Sequence, residues 1–430
     1  MNKWMDKLGD RLMPVAQKIG GNRYLSAVKE GFFGAMPILI VGSMFLLFTS
    51  LPFNGYSDFM ARIFSENWID FFYIPYQVSY KLMTLFVVVG MARSLAHYYK
   101  IDSRAAITLA FVGIFILTPI VVTADNVKGF PIDNLSASGL LLCIISTCLA
   151  VEILRLCLQR GWTIKMPDSV PESISRSFAS VIPAFFVFLI FNIIRMVFKL
   201  TSFGDAQTFI FQTLQKPLQA LGSTLPATVI ILFVEAVIWC FGIHGSSIVS
   251  SVMNPIWYSL SAENAAAFEA GLVLPNIVNY QFIAHFVKIG GAAATLGLAL
   301  ACMFKSRSNQ YKTLGRLAII PSIFNINEPL IFGVPIVLNP IMMIPFVLAN
   351  VTVGIVTYVA MAAGLCPIIN GLNLPYTVPA VISGFILCGW RGAVLQIVLI
   401  IISVAIYLPF FNMMDKQAYA LEQEAEKKSA

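Results

Sequence analysis

The sequence predicts an all-α, polytopic membrane protein of about ten transmembrane helices, with broken or re-entrant pieces and amphipathic helices lying at the interface. Three observations carry that expectation. Hydrophobic content is 58% and mean hydropathy +0.82, well outside the range of soluble domains. Seven mostly apolar strings, about 31–50, 80–97, 103–123, 138–156, 177–198, 341–363 and 392–411, are each long enough to cross ~30 Å of hydrocarbon. The other apolar runs of the last third, around 226–244, 280–304, 312–340 and 376–390, are interrupted by Gly, Pro, Asn, His or Glu. Irregular backbone at membrane depth survives only where protein or water covers it, so these runs read as broken or re-entrant pieces.

Taken in order, residues 1–30 open with Trp4, Met5, Leu8, Leu12, Val15, Ala16 and Ile19 at helical spacing, opposite Lys3, Asp6, Lys7, Asp10 and Lys18. That is a helix on the inner leaflet. No uninterrupted apolar core follows the first charges, as a secretory signal would require. Residues 31–200 hold five regular spans and form an N-terminal domain. The polar stretch 159–177 joins the fourth and fifth spans, and a docking surface and a merely solvated loop both fit it. Residues 201–226 read as an amphipathic connector with apolar Phe209, Ile210, Leu214, Leu218 and Leu221. Residues 227–415 form a C-terminal domain holding nearly all the intramembrane polar groups, and 416–430 a charged tail. A faint match between Phe32, Gly34, Pro37 and Phe178, Ser180, Pro183 fits chance as well as it fits an inverted repeat.

The net charge of +7 comes from short clusters such as Arg93, Lys100 and Arg104, or Arg155, Arg160 and Lys165. They mark inside loops rather than a nucleic-acid surface, and place the N-terminus in the cytoplasm, with the C-terminus expected there too. Lys305, Arg307, Lys312 and Arg316 suggest a further inside loop, with the parity of crossings in that half left open. The seven cysteines, 143, 148, 157, 240, 302, 366 and 388, lie in or beside apolar segments without a C-x-x-C pair and read as packing residues. There is no Walker loop, dinucleotide fingerprint, metal-spaced cluster or nucleophile elbow, so no cofactor or metal is expected and energy must come from a gradient or a partner.

Three stretches carry chemistry. In 234–257, a helix through Glu235 and Trp239, one turn apart, reaches Gly242-Ile243-His244-Gly245, where flanking glycines break it; Ser246, Ser247, Ser250, Ser251, Asn254 and Pro255 then read as a short polar hairpin. A histidine at a helix break in a membrane points to function. In 321–340, Asn325, Asn327 and Glu328 precede Pro329, which is expected to end a helix at Glu328, while Gly333, Pro335, Asn339 and Pro340 shape the return. Such a carboxylate coordinates an ion, relays a proton or binds a polyhydroxylated solute. The three amides favour the solute, because sugar hydroxyls need donors and acceptors together. In 370–392, Tyr376 beside a helix-breaking Leu-Pro is the better ligand candidate, and Trp390 next to Arg391 the better headgroup anchor.

These motifs, "AVKEGFFGAMPILIVGSMFLL", "FGIHG", "KIGGAAATLGL", "FNINEPLIFGVPIVLNP" and "LPYTVPAVISGF", resemble enzyme IIC of the phosphoenolpyruvate-dependent sugar phosphotransferase system, lactose/cellobiose/N,N′-diacetylchitobiose family, along essentially the whole chain. The resemblance implies a bacterial cell-membrane homodimer of ten spans and two re-entrant hairpins, dimerised through its N-terminal half. It further implies a disaccharide bound by the C-terminal half, which moves as a rigid body, and phosphorylation on a 6-hydroxyl by the phosphocysteine of a cytoplasmic IIB protein, itself charged through IIA. By position, Glu328 and His244 match the residues nearest that hydroxyl. Glu328 is then expected as base and His244 as its orienting partner, roles that the sequence leaves interchangeable, with Asn325, Asn327, Trp239, Gly245, Ser246, Asn339 and Tyr376 as sugar-contact candidates. Where relatives read P-W-T-x-P, this chain has Pro375-Tyr376-Thr377-Val378-Pro379, so the sugar platform differs. At 292–294, alanines stand where many relatives have Gly or Ser. The charged tail carries no cysteine, which implies a cellobiose- or diacetylchitobiose-type member with IIB as a separate protein. The alternatives from the residues alone are a proton-coupled oligosaccharide transporter, with Glu328 or Glu235 carrying the proton, and a sugar receptor.

Overall fold

The computed structural model describes residues 21–49, 56–65, 67–122, 126–167 and 170–429. The expected interfacial helix of 1–30 therefore falls mostly outside the described residues. Among these, six helices are long and apolar enough to cross a membrane, and up to eight if each of two bent pairs counts as one span. The chain divides into two compact units, Gly21–Ala220 with Ser251–Ala262, and Leu221–Ser250 with Glu263–Ala430.

In the N-terminal unit, α1 (Arg23–Thr49) starts eight residues before the expected span and packs on α2 (Trp68–Tyr80) and α3 (Met83–Tyr99). The α1–α3 crossing is backbone to backbone: a Cβ on Gly90 would stand 2.8 Å from the Glu30 carbonyl oxygen and from the Gly31 Cα. Beyond the crossing, the Tyr24 and Tyr99 hydroxyls both donate to Glu152 Oε1 on α5 (Leu140–Gln159), whose Oε2 lies 2.7 Å from Arg155 Nη2. Three helices are thus tied by one carboxylate. The helix α4 (Ser103–Leu117) is shorter than the expected 103–123, because Thr118 precedes Pro119 and turns extended, leading into a two-residue β-hairpin, Val121–Val122 with Lys128–Gly129. After α5, α6 (Val181–Lys199) completes the regular helices of this unit.

The connector is amphipathic, but its orientation inverts the soluble-protein rule. Over Ala206–Gly222 three polar side chains, Gln207, Gln215 and Gln219, are buried together with Ala206 and Ile210, while Leu214, Leu218 and Leu221 are exposed. Gln207 donates to the Asn134 carbonyl and Gln215 to the Ala137 carbonyl and Ser259 Oγ. In hydrocarbon, polar groups gain by turning inward to partners and leucines lose nothing by facing out.

In the C-terminal unit, α7 (Leu225–Cys240) is followed by α8 (Gly245–Glu269). The expected polar hairpin at 246–255 is instead the first turns of this 25-residue helix, with Pro255 inside it. Its middle, Ser251–Ala262, packs with the N-terminal unit, where Tyr258 stacks on Phe32 at 5.1 Å. The buried run 282–305 is a π-helix (Phe282–Val287), a turn, a 3-10 segment (Ala292–Ala294) and α9 (Leu296–Lys305), bent by 51°. Next come α10 (Asn309–Ile323), the six-residue α11 (Glu328–Gly333) and α12 (Pro340–Ala362). Last is α13 (Ile382–Ser429), kinked at Cys388–Gly389. Of the expected tail at 416–430, the described residues, 416–429, continue α13. Its Asp415 is buried and accepts from the Arg307 and Ser308 backbone N–H groups at 2.8 and 3.0 Å, and Glu422 accepts from those of Asn309 and Gln310. Two carboxylates from α13 therefore hold four consecutive donors at the start of α10, where orphan N–H groups and the helix dipole favour negative charge.

Candidate functional site

Two helix breaks of the C-terminal unit meet. At the first, α7 ends at Cys240, Gly242 takes a left-handed conformation (φ 77°), and His244 caps α8, its Nδ1 accepting the Ser247 N–H at 3.1 Å. Gly245 is required by close approach: a Cβ there would lie 2.2 Å from the Glu235 carbonyl oxygen and 3.0 Å from the Trp239 ring. Trp239 is buried, and its ring centroid lies 4.3 Å from that of the imidazole, tilted by 45°. Capping and ring contact together fix His244 with Nε2 pointing away from its own helix. Because Nδ1 accepts a hydrogen bond, the proton of the neutral ring resides on Nε2.

The second break differs from expectation. Pro329 does not end a helix at Glu328; α10 stops at Ile323, and Glu328 opens α11 with Pro329 in the first turn. A proline there sacrifices no hydrogen bond, and a carboxylate there faces the positive end of the peptide dipoles. Glu328 Oε1 lies 3.9 Å from His244 Nε2, both side chains about half exposed, at 48% and 49%. That gap is too long for a direct hydrogen bond and leaves both groups free to meet one ligand atom.

Behind His244 lies a charged network that includes a residue absent from the sequence-based candidates. Lys288 Nζ is 2.8 Å from Oε1 of Glu235, a carboxylate only 1% exposed. Ser246 Oγ donates to the same Oε1 and accepts from Trp239 Nε1 at 3.1 Å. Trp239 and Ser246 thus support the wall from behind. A buried carboxylate needs such a cation, and Lys288, 18% exposed, remains within reach of the open side. The available signal was a lone lysine inside an apolar run, immediately before Gly290-Gly291 by two residues.

The amides do not line the opening as a donor–acceptor set. Asn325, at φ 62°, accepts from Gly290 N at 2.7 Å and donates to the carbonyls of Tyr376 and Val378. Asn327 is buried and donates to the Ala292 carbonyl and Thr295 Oγ1 at 3.0 and 2.9 Å. A Cβ on Gly291 would lie 2.4 Å from the Asn327 Cγ, so glycine is needed for this fit. Asn339 caps α12, accepting from Ile341 N at 3.0 Å. All three hold backbone segments around the break and so give it a rigid frame. Tyr376 is 46% exposed, with its carbonyl held by Asn325, leaving the ring available.

Residues 29–350 match the family model "Phosphotransferase system, EIIC". The chain is 40% identical to the cellobiose-specific EIIC component of Geobacillus stearothermophilus, over 98% of this chain and 97% of that one. It is 37% identical to the lichenan permease IIC component of Bacillus subtilis, over 99% and 97%. A solved structure, the transporter ChbC, the IIC component of an N,N′-diacetylchitobiose-specific phosphotransferase system, superimposes with a TM-score of 0.93 at 40% identity, covering 97% of this chain and 99% of that one.

Proposed function

Because this chain belongs to the phosphotransferase system EIIC family, we propose that it is the membrane permease component for a β-linked disaccharide of the cellobiose or diacetylchitobiose type. In this reading the C-terminal unit carries the sugar inward as a rigid body, and a phosphocysteine on a separate IIB protein phosphorylates a sugar 6-hydroxyl. The homodimer and the cytoplasmic placement of both termini belong to the same proposal.

The observation that carries it is the His244–Glu328 pair, 3.9 Å apart and half exposed. A hydroxyl oxygen between them receives the Nε2–H of His244 and directs its own hydrogen to Glu328. As that oxygen attacks phosphorus, the O–P bond forms, the S–P bond of the phosphocysteine breaks, and the proton passes to the carboxylate. The Nδ1 cap supports one assignment of the two roles: a histidine whose Nδ1 accepts the Ser247 N–H presents a donor at Nε2, which favours Glu328 as base and His244 as orienting group. Trp239, Ser246 and Gly245 support the wall, Asn325 and Asn327 frame it, Tyr376 supplies an exposed ring for a sugar face, and Asn339 serves as a helix cap.

The test uses inverted vesicles carrying the protein, supplied with phosphorylated IIB and a panel of radiolabelled β-disaccharides, with sugar phosphate as the readout. Phosphate should appear on one sugar and disappear in Glu328→Gln. Uptake of unmodified sugar that follows a proton gradient and ignores phospho-IIB would overturn the proposal and make Glu328 a proton carrier.

A further inference from the structure

The N-terminal unit carries a cleft that transport chemistry does not use. Its origin is the α1–α3 crossing. Arg23 sits 5.2 Å from the Tyr99 ring centroid and Gly31 meets Gly90, so the start of α1 runs against the end of α3 in the opposite direction. Both ends therefore reach the same membrane border. The glycines at the crossing leave no side chain to fill the groove beside it, and a cleft of about 810 Å³ opens there, lined by Glu30, Phe33, Gly34, Arg93, His97 and Ser103.

Its two ends differ in character. At the border, Arg93 and His97 stand one turn apart on α3, with Glu30 across from them on α1 and Ser103 beside them. Among the described residues neither Glu30 nor Arg93 takes part in an ion pair, although both line one groove, and Lys29 adds a further cation beside it, its Nζ 5.6 Å from the Phe33 ring centroid. Phe33 also lines the cleft, and farther along the same two helices, at helical spacing from Gly34 and Arg93, Ile38, Val41 and Val89 are exposed apolar side chains, the four being 38–53% exposed.

We propose that this cleft binds a phosphatidylethanolamine molecule. The lipid phosphate pairs with Arg93 and takes further hydrogen bonds from His97 and Ser103, the ethanolamine ammonium pairs with Glu30, and an acyl chain lies along Phe33, Ile38 and Val89. Charge complementarity selects this occupant. Phosphatidylglycerol offers Glu30 no cation, and the trimethylated head of phosphatidylcholine offers it no N–H donor. A second copy of the chain seated here by its apolar helices would bury Glu30 and Arg93 without partners, which is costly.

The test is native mass spectrometry of the delipidated full-length protein, titrated with phosphatidylethanolamine, phosphatidylglycerol and phosphatidylcholine of identical acyl chains. Phosphatidylethanolamine should bind tightest. Arg93→Gln and Glu30→Gln should each weaken it about tenfold, the loss of one charge-assisted hydrogen bond, and Glu30→Gln should narrow the gap to phosphatidylglycerol. All these side chains are exposed, and the lipid ranking of the parent protein tests the idea without any variant. Equal binding of the three lipids, or unchanged phosphatidylethanolamine affinity in both variants, would overturn it. So would an efficient cross-link between copies through Phe33→Cys in native membranes, which would put a second copy over the cleft.

Discussion

Removing the ammonium of Lys288 should expose how much of the site's rigidity rests on one buried ion pair. In Lys288→Met the hydrophobic stem is kept and the charge lost, so Glu235, 1% exposed, is left with the Ser246 hydroxyl as its only partner among the described residues on Oε1 and none on Oε2. Breaking a buried pair from one side costs about 3–5 kcal/mol. With Lys288 18% exposed, the lower end applies, about 3 kcal/mol. In a unit of this size each kcal/mol moves the melting temperature by about 2–4 °C, so a fall of about 6–12 °C is expected. The double variant Glu235→Gln with Lys288→Met removes both charges and keeps a group that can bond Ser246; it should recover at least about half of that loss, because the unpaired charge is gone. The assay is thermal unfolding in detergent of the parent, both single variants and the double variant, as a thermodynamic cycle, with sugar affinity measured alongside. If Lys288→Met melts within about 2 °C of the parent, or the two substitutions are additive, the reasoning fails and the 2.8 Å contact is incidental.

The other expectations are simpler. Glu328→Gln keeps the shape and loses the base, so sugar phosphate formation should fall about a hundredfold or more while binding weakens only modestly; transfer at the parental rate would refute its role. His244→Ala removes both the helix cap, worth about 1 kcal/mol, and the Nε2 donor, so affinity and transfer should fall together in equilibrium binding and single-turnover assays. Gly245→Ala puts a methyl 2.2 Å from the Glu235 carbonyl and must displace the start of α8, so sugar binding should be lost even though every polar group remains. Asp415→Ala strips two buried or partly buried backbone N–H groups of their acceptor and should cost about 2–4 kcal/mol by thermal unfolding, whereas Glu422→Gln, which keeps one of two acceptor oxygens for N–H groups that are exposed, should cost about 1 kcal/mol.

Much of the site was legible because glycine and proline announce broken helices regardless of what surrounds them. Gly242-Ile243-His244-Gly245 located the first break, and the Asn-Glu-Pro run located the second to within a few residues. Direction was harder. Proline before a helix and proline after one look alike locally, so Glu328 read as a terminus when it is a start. The Ser-rich stretch 246–251 read as a hairpin because serine favours turns; packing carries it as helix instead. The framing role of the amides was hidden for a related reason. Asn325 and Asn327 have the composition of a sugar site, but their partners, Gly290 N and the Ala292 and Tyr376 carbonyls, come from distant segments whose proximity no local pattern encodes. Lys288 was overlooked because a single cation in an apolar run acquires meaning only when Glu235 is placed 2.8 Å away.

The sequence by itself determined the solvent of this protein, the helical character of its spans, the positions of its two breaks and the identity of the two residues placed there. Each follows from local physics: hydrocarbon admits long apolar helices, and Gly, Pro and buried charge interrupt them. Only the tertiary structure decided that His244 and Glu328 face one another at 3.9 Å, that glutamines rather than leucines point inward along 206–222, and that the charged C-terminal run is a docked helix. These are pairings between segments far apart in the chain, fixed by which buried polar group finds which partner.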